Sequence, residues 1–268
     1  MDTLQIRGLY DQQERIAAIY PDLLREVGPY VIRHMPLRSH LPSARGAFIS
    51  YSNLAGSDVE QVISGEIGFF AAQHLGFEWK VYEHDFPADL RSRLLARGFR
   101  ADEPEAIMAL VLAQAPPALL QPVQHAVQRL HDPDQLDEVH GVLQAVWQRQ
   151  HSGLMQYLRE SMINNPQVLS VYAGYEAGQA VCVGWLYHDP RSAFAGLWGG
   201  STRAEFRGRG WYTALLAART QEALRRGYRY LTIDAGAQSR PIVQRYGFRQ
   251  IAVAHALNWE SETQHQTA

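Results

Sequence analysis

A chain of 268 residues, 46% hydrophobic and 19% charged, is long enough for one large core or for two domains of ordinary size. A net charge of −2 argues against nucleic acid as the main partner, and a single cysteine, Cys182, excludes an internal disulfide. No apolar run is long enough to span a bilayer, and Met1–Gln5 lacks a basic-then-apolar leader pattern, so a cytoplasmic protein without a membrane partner is expected.

Residues 1 to about 45 read as helical: Asp11–Ile19 has apolar spacing, Asp22–Val27 continues it, and Pro29, Pro36 and Pro42 cut the rest into short pieces. Ala47–Tyr51 reads as a strand. Asp58–His74 reads as a helix with Val59, Val62, Ile63, Ile67 and Phe70 on one face and Ser57 or Asp58 as cap. Phe77–Tyr82 is a strand, Asp89–Ala96 a short helix closed by Gly98-Phe99, and Ala106–Ala113 a strand or a helix. Ala115-Pro116-Pro117-Ala118 is the linker candidate, which divides the chain into 1–118 and 119–268.

Beyond it, Val123–Leu130 alternates as a strand does. Asp132-Pro133-Asp134 opens a helix running to about His151, and Ser152 caps the next, through about Asn164. Val168–Tyr175 and Ala180–His188 are strands joined at Glu176–Gln179, and Asp189–Ser192 is a turn. Phe194 opens a strand that runs into Gly199-Gly200-Ser201-Thr202-Arg203-Ala204-Glu205-Phe206-Arg207-Gly208-Arg209-Gly210-Trp211-Tyr212, and a helical pattern leaves it through Leu215, Leu216, Ala223 and Leu224.

A strand, a glycine-spaced basic loop and a helix start form an anion cradle, because first-turn N–H groups lack intrahelical acceptors and the helix dipole favours negative charge there. Arg207 and Arg209 add donors suited to phosphate. A Walker loop would need Lys then Ser or Thr where Trp211 and Tyr212 stand, and a dinucleotide loop would need a third glycine after Gly208-Arg209-Gly210. Tyr228–Ala235 then reads as a buried strand, Gln238–Tyr246 as a short helix ended by Gly247, and Phe248 opens a strand to about Trp259.

Arg207-Gly208-Arg209-Gly210 between strand and helix, followed by strand, short helix, Gly247-Phe248 and strand, resembles the GNAT superfamily of acetyl-CoA-dependent N-acetyltransferases over roughly Val123–Trp259. Tyr212 departs from the small residue that usually ends the loop motif. Trp79–Tyr82, a helix and Gly98-Phe99 echo Tyr230–Ile233, a helix and Gly247-Phe248, which suggests a second, degenerate copy without the cofactor loop. The expected fold is α/β (α+β): two GNAT-like domains, each a mixed, mostly antiparallel sheet flanked by helices.

The resemblance implies acetyl transfer from acetyl-CoA to a primary amine of a small molecule or peptide by direct attack, with no metal. It assigns the pyrophosphate to Arg207, Gly208, Arg209, Gly210, Trp211 and Tyr212, and the pantetheine arm to backbone groups of Gly200, Ser201 and Thr202. Ser239 is either a helix cap or a contact to the cofactor arm. Asp234 is a base, an amine ligand or a helix cap. Tyr246 is a proton donor or a packing residue, since Val243 occupies the superfamily's usual tyrosine position. Glu205, His188 and Asp189 are further base candidates, each with a plain structural reading as a solvated charge or turn residue, and a water relay needs none of them. Trp147, Tyr172, Trp185, Tyr187 and Trp198 are expected mainly in the core, with one or two lining an acceptor pocket, and Cys182 as an inert core thiol. The alternative function is a non-catalytic acyl-CoA-binding or regulatory module. The acceptor amine, acyl length and oligomeric state are left open.

Overall fold

A computed structural model describes residues 2–37 and 46–260; the break expected at Pro42 and the frayed tail expected at 265–268 fall outside them. The chain divides into two compact units, Met1–Ile107 with Gln250–Ala268, and Met108–Arg249.

In the first unit, α1 (Thr3–Tyr10) is held by a capping box in which Gln5 N–H donates to Asp2 and Asp2 N–H donates to Gln5, and a π-helical turn follows at Asp11–Ile16. The helix expected to continue through Asp22–Val27 is instead a hairpin, β1 (Leu23–Val27) and β2 (Val31–Pro36). Pro29 lacks an N–H for a helical bond and disfavours helical backbone at Gly28 before it, and Gly28 N–H closes the turn on Val31 O at 2.9 Å. Then come β3 (Ala47–Ser52), α2 (Val59–Ala71, capped by Asp58), β4 (Phe77–Tyr82), α3 (Leu90–Ala96), β5 (Arg100–Ala101) and β6 (Glu105–Val111), whose residues from Met108 lie in the second unit. Val31, Ile49, Ile63, Phe70, Phe77 and Trp79 form its core, with Phe70 stacked on Phe77.

The linker candidate is not a free connection. Pro117–Leu120 forms α4, Leu119 is fully buried, and the Gln221 side-chain amide donates to the carbonyls of Leu119 and Gln121. The second unit continues with β7 (Val127–Arg129), α5 (Leu136–Trp147), α6 (Ser152–Asn164), β8 (Leu169–Glu176), β9 (Gln179–His188), β10 (Phe194–Thr202), α7 (Trp211–Arg225), β11 (Tyr230–Ala235) and α8 (Arg240–Arg245). Ser152 begins α6 rather than capping it; the cap position is His151. β9 is buried along nearly its whole length because both faces are covered. Val183 and Trp185 pack with Val139, Val142 and Leu158, and Val181 and Cys182 pack with Trp211 and Leu215.

β12 (Arg249–Trp259) leaves the second unit at once and pairs antiparallel with β4 from Ala254↔Tyr82 to Trp259↔Phe77. The first unit's strand order is therefore β1-β2-β3-β4-β12, and the second's is β6-β11-β10-β9-β8-β7. A single cut at 118/119 does not describe these units, because the strand at 249–259 completes the sheet begun by residues 23–82. The internal echo is visible at atomic level. Gly98 after α3 and Gly247 after α8 have φ of 89° and 85°, and Phe99 N–H to Leu94 O matches Phe248 N–H to Val243 O.

Candidate functional site

β10 pairs parallel with β11 only at Phe194–Gly196 and Tyr230–Thr232. Both strands run on, β10 to Thr202 and β11 to Ala235, without further pairing to each other, so they fork. Forked strands present backbone N–H and C=O groups that an extended ligand can pair.

A bulge between Trp198 and Ser201 shapes the β10 arm. Gly199 has φ 64°, and a Cβ there would lie 1.9 Å from Trp185 Cζ3, so only glycine fits. Arg219, fully buried on α7, donates Nη1 to the carbonyls of Trp185 and Trp198 at 3.2 Å each, and Nε to Leu215 O. Burial pulls its pKa down from the usual guanidinium value. Gly200 accommodates the Tyr212 ring, whose Cε2 lies 3.1 Å from the position a Cβ would take. This accounts for the tolerated departure at 212: the bulk on α7 is matched by a missing side chain on β10.

β10 feeds a short 3-10 turn at Ala204–Phe206, then Arg207, Gly208 at φ 72° and Gly210 at φ 86°, which is the N-cap of α7. Gly210 has no side chain with which to cap the helix. The first helical bond runs from Ala214 N–H to Gly210 O, so the N–H groups of Trp211, Tyr212 and Thr213 lack partners within the helix. The loop arginines have intramolecular partners: Arg207 Nε donates to Thr202 O at 3.2 Å, and Arg209 pairs with Glu176 and lies over the Phe206 ring. Both are exposed. The Trp211 indole is buried with Tyr172, Val181 and Leu215, which leaves only its backbone at the loop.

His125 carries no motif in the sequence. Its Nε2 meets Arg209 O at 3.0 Å and its ring packs edge-on against Trp211 at 4.5 Å, so it buttresses the loop from a segment 84 residues away. No local signal marks such a contact.

Among the chemistry candidates, the structure brings Tyr246 to the loop. Its hydroxyl lies 2.6 Å from Thr213 Oγ1 in the first turn of α7. Val243 is fully buried, so the usual tyrosine position here is core. Ser239 occupies the N-cap position of α8 but makes no capping bond; its hydroxyl donates to Gly236 O at 3.4 Å. Asp234 is half-buried near the end of β11, on the other arm of the fork. Asp189 accepts from the N–H and side chain of Arg191, a turn role. His188 is buried against Ser170 and Glu222, and Glu205 is exposed on the 3-10 turn. Burial pushes the Cys182 thiol up to about 11.

Two tryptophans expected chiefly in the core are not there. Trp147 is 56% exposed and donates Nε1 to Ser201 Oγ at 3.0 Å; Trp198 is 41% exposed and meets Tyr187 edge-on. Tyr172 and Trp185 are buried as expected. Among the described residues no cluster of three or more His, Cys, Asp or Glu could hold a metal, and no helix is long and apolar enough to cross a membrane.

No protein-family model matches the chain, and no curated protein sequence matches it. Solved structures do. A GCN5-related N-acetyltransferase from Kribbella flavida superposes with a TM-score of 0.67 at 14% identity, over 96% of this chain and 95% of that one. A tandem GNAT protein from the clavulanic acid biosynthesis pathway gives 0.62 at 11% identity over 93% and 87%. A GCN5-related N-acetyltransferase from Sphaerobacter thermophilus gives 0.58 at 17% over 86% and 76%. At these identities the likeness is one of fold: the chain has the mixed, mostly antiparallel α/β fold of GNAT acetyltransferases.

Proposed function

We propose that this protein is an N-acetyltransferase that uses acetyl-CoA to acylate a primary amine of a small molecule or peptide, with its site in Met108–Arg249. The observation that carries the reading is the β10/β11 fork beside the uncapped start of α7, into which β10 leads. The fork fits an extended pantetheine arm, and an uncapped helix start fits a pyrophosphate. When bound, the thioester supplies an activated carbonyl.

The chain's own groups then have distinct tasks. Backbone groups of Gly200–Thr202 orient the arm and polarise the carbonyl. Gly208 and Gly210 let the backbone approach the phosphates, and Arg207 and Arg209 exchange their present partners for phosphate oxygens. As the amine nitrogen bonds to the carbonyl carbon, the C–S bond breaks, the nitrogen loses a proton and the thiolate gains one. Tyr246 Oη is the donor in this reading, Asp234 receives the ammonium or its proton, and Ser239 holds the arm. Trp147 and Trp198 flank the acceptor.

The second reading, an acyl-CoA-binding or regulatory module, is favoured by the burial of Val243 where the superfamily commonly has its acid. Calorimetric titration with acetyl-CoA followed by a thiol-release assay over a panel of amines separates the two. Binding with turnover on one amine class supports the enzyme. Binding without turnover on any amine supports the module, and absence of binding removes both.

A further inference from the structure

The C-terminal half of α7 and the edge strand β7 line an open cavity of about 520 Å³ that the acetyl-transfer reading does not use. Its volume falls within the range of small-molecule sites. Val123, Val127 and Ala218 give it an apolar wall, and Tyr172 and Glu222 form part of its lining. Three arginines also line it: Arg129, Arg225 and Arg226.

The charge on Glu222 is already answered. It accepts from Tyr172 Oη, from Ser170 Oγ at 2.9 Å and from Arg226 Nε at 2.9 Å, and these bonds hold its pKa below the ordinary glutamate value against the upward push of burial. Pairing Glu222 with Arg226 leaves Arg129 and Arg225 as the cavity's excess positive charge. Arg129 is poorly satisfied. Its Nη1 and Nη2 reach Glu222 and Pro166 O only at 3.4 and 3.3 Å, and its Nε is buried without a partner. The two long Nη contacts are the ones an incoming anion can replace with shorter, charge-assisted bonds. Glu222 in the lining disfavours a dianion, and the apolar wall favours a ligand with a hydrocarbon body.

We propose that this cavity is a second ligand site, for a small organic monocarboxylate with an apolar or aromatic body, its carboxylate held by Arg129 and Arg225. Benzoate is the probe, with benzamide as its uncharged counterpart and inorganic phosphate as the dianionic control. Backbone amide shifts of the full chain are followed by NMR during titration. Saturable benzoate shifts at residues 127–131 and 218–226 are expected, with no saturation by benzamide and weaker response to phosphate. Arg129→Met weakens benzoate binding about tenfold or more, whereas Arg191→Met, at a surface arginine bound to Asp189, leaves it unchanged. Should Arg129→Met fail to fold, Arg225→Met at the exposed rim gives the same reading. The proposal is overturned if benzoate does not saturate, if benzamide or phosphate matches it, or if the arginine variants bind it as wild type does. Acetyl-CoA titration is a separate measurement, so failure here leaves the acetyl-transfer reading standing.

Discussion

Each unit contains a strand, a helix and a second strand parallel to the first, and in each the parallel pairing lasts three residues before the strands fork. In the first unit Ala47–Ile49 pairs with Phe77–Trp79; in the second Phe194–Gly196 pairs with Tyr230–Thr232. Past the pairing the two forks differ. The first receives Arg15 from the π-helical turn: its Nε reaches Ser50 O, its Nη2 forks both oxygens of Asp85 at 2.8 Å, and its guanidinium lies 3.7 Å over the Tyr82 ring. The helix starts differ in the same sense. Asp58 puts its own carboxylate on the N–H groups of Glu60 and Gln61, whereas α7 starts at a glycine. The first unit thus fills its fork and its helix start with its own Arg15 and Asp58, and on the acetyl-transfer reading proposed above the second leaves the corresponding places to acetyl-CoA.

The largest effect is expected from Arg15→Met. It strands Asp85, which is as buried as Arg15 itself, and should cost about 3–5 kcal/mol in urea unfolding, with acetyl-CoA affinity unchanged where the protein remains folded. A neutral result would mean that the first fork does not depend on its plug.

Acid should separate the units next. Ser170 gives its only proton to Glu222, so His188 Nε2–H donates to Ser170 Oγ, and His188 Nδ1 is buried without a partner. Burial first, then Arg226 and Arg129, push His188 down to about 4 despite Glu222. The unfolded chain binds that proton near 6.5 while the folded unit refuses it. Stability therefore falls as pH drops from about 6.5 to about 4, by roughly 3 kcal/mol at its fullest. In the first unit, burial raises Asp11, but hydrogen bonds from His84 and Arg15 outweigh it and hold its pKa below 3.8, so the stability it contributes is lost only at lower pH. Denaturant midpoints measured against pH should show the 6.5-to-4 slope in wild type and lose it in His188→Gln.

Replacing Arg207 and Arg209 together with Ala should weaken acetyl-CoA binding by about tenfold to a hundredfold in calorimetry, without a change in stability that exceeds about 0.5 kcal/mol. Unchanged affinity would remove the loop from the pyrophosphate. The smallest effect belongs to Asp58→Ala, about 1 kcal/mol of stability from the lost cap, again with acetyl-CoA affinity untouched. A loss of affinity in that variant would mean that the first unit participates in cofactor binding.

What could be read from the sequence was local. The strand–loop–helix around Gly208 and Gly210, the Gly247-Phe248 turn and its echo at Gly98-Phe99 announce themselves through glycine spacing and hydrophobic period, because their geometry depends on neighbours a few residues away. The hairpin at Leu23–Pro36 reads as helix in the sequence because short apolar runs carry both periods, and the Gly28-Pro29 break decides between them. His125, Arg219 and the fork-filling Arg15 were not legible: each acts on residues tens of positions distant. Residue type alone points Trp147 and Trp198 mainly to the core, yet proximity to a bulge and a helix end, not type, sets their exposure. Ser239 occupies the cap position but turns its hydroxyl to Gly236 O, a choice of rotamer that composition does not encode.

The pairing of β12 with β4 has a consequence for how the molecule is made. A ribosome delivers residues 23–82 early and the strand at 249–259 long after, with the whole of Met108–Arg249 in between. The second unit can close as soon as it emerges, but the first must wait with one sheet edge bare until residues 249–259 follow. Order of folding is thereby uncoupled from order of translation. The waiting β4 edge, rich in Phe77, Trp79 and Val81, is the segment a chaperone would need to shield, and the one through which a nascent chain stalled before residue 249 would aggregate.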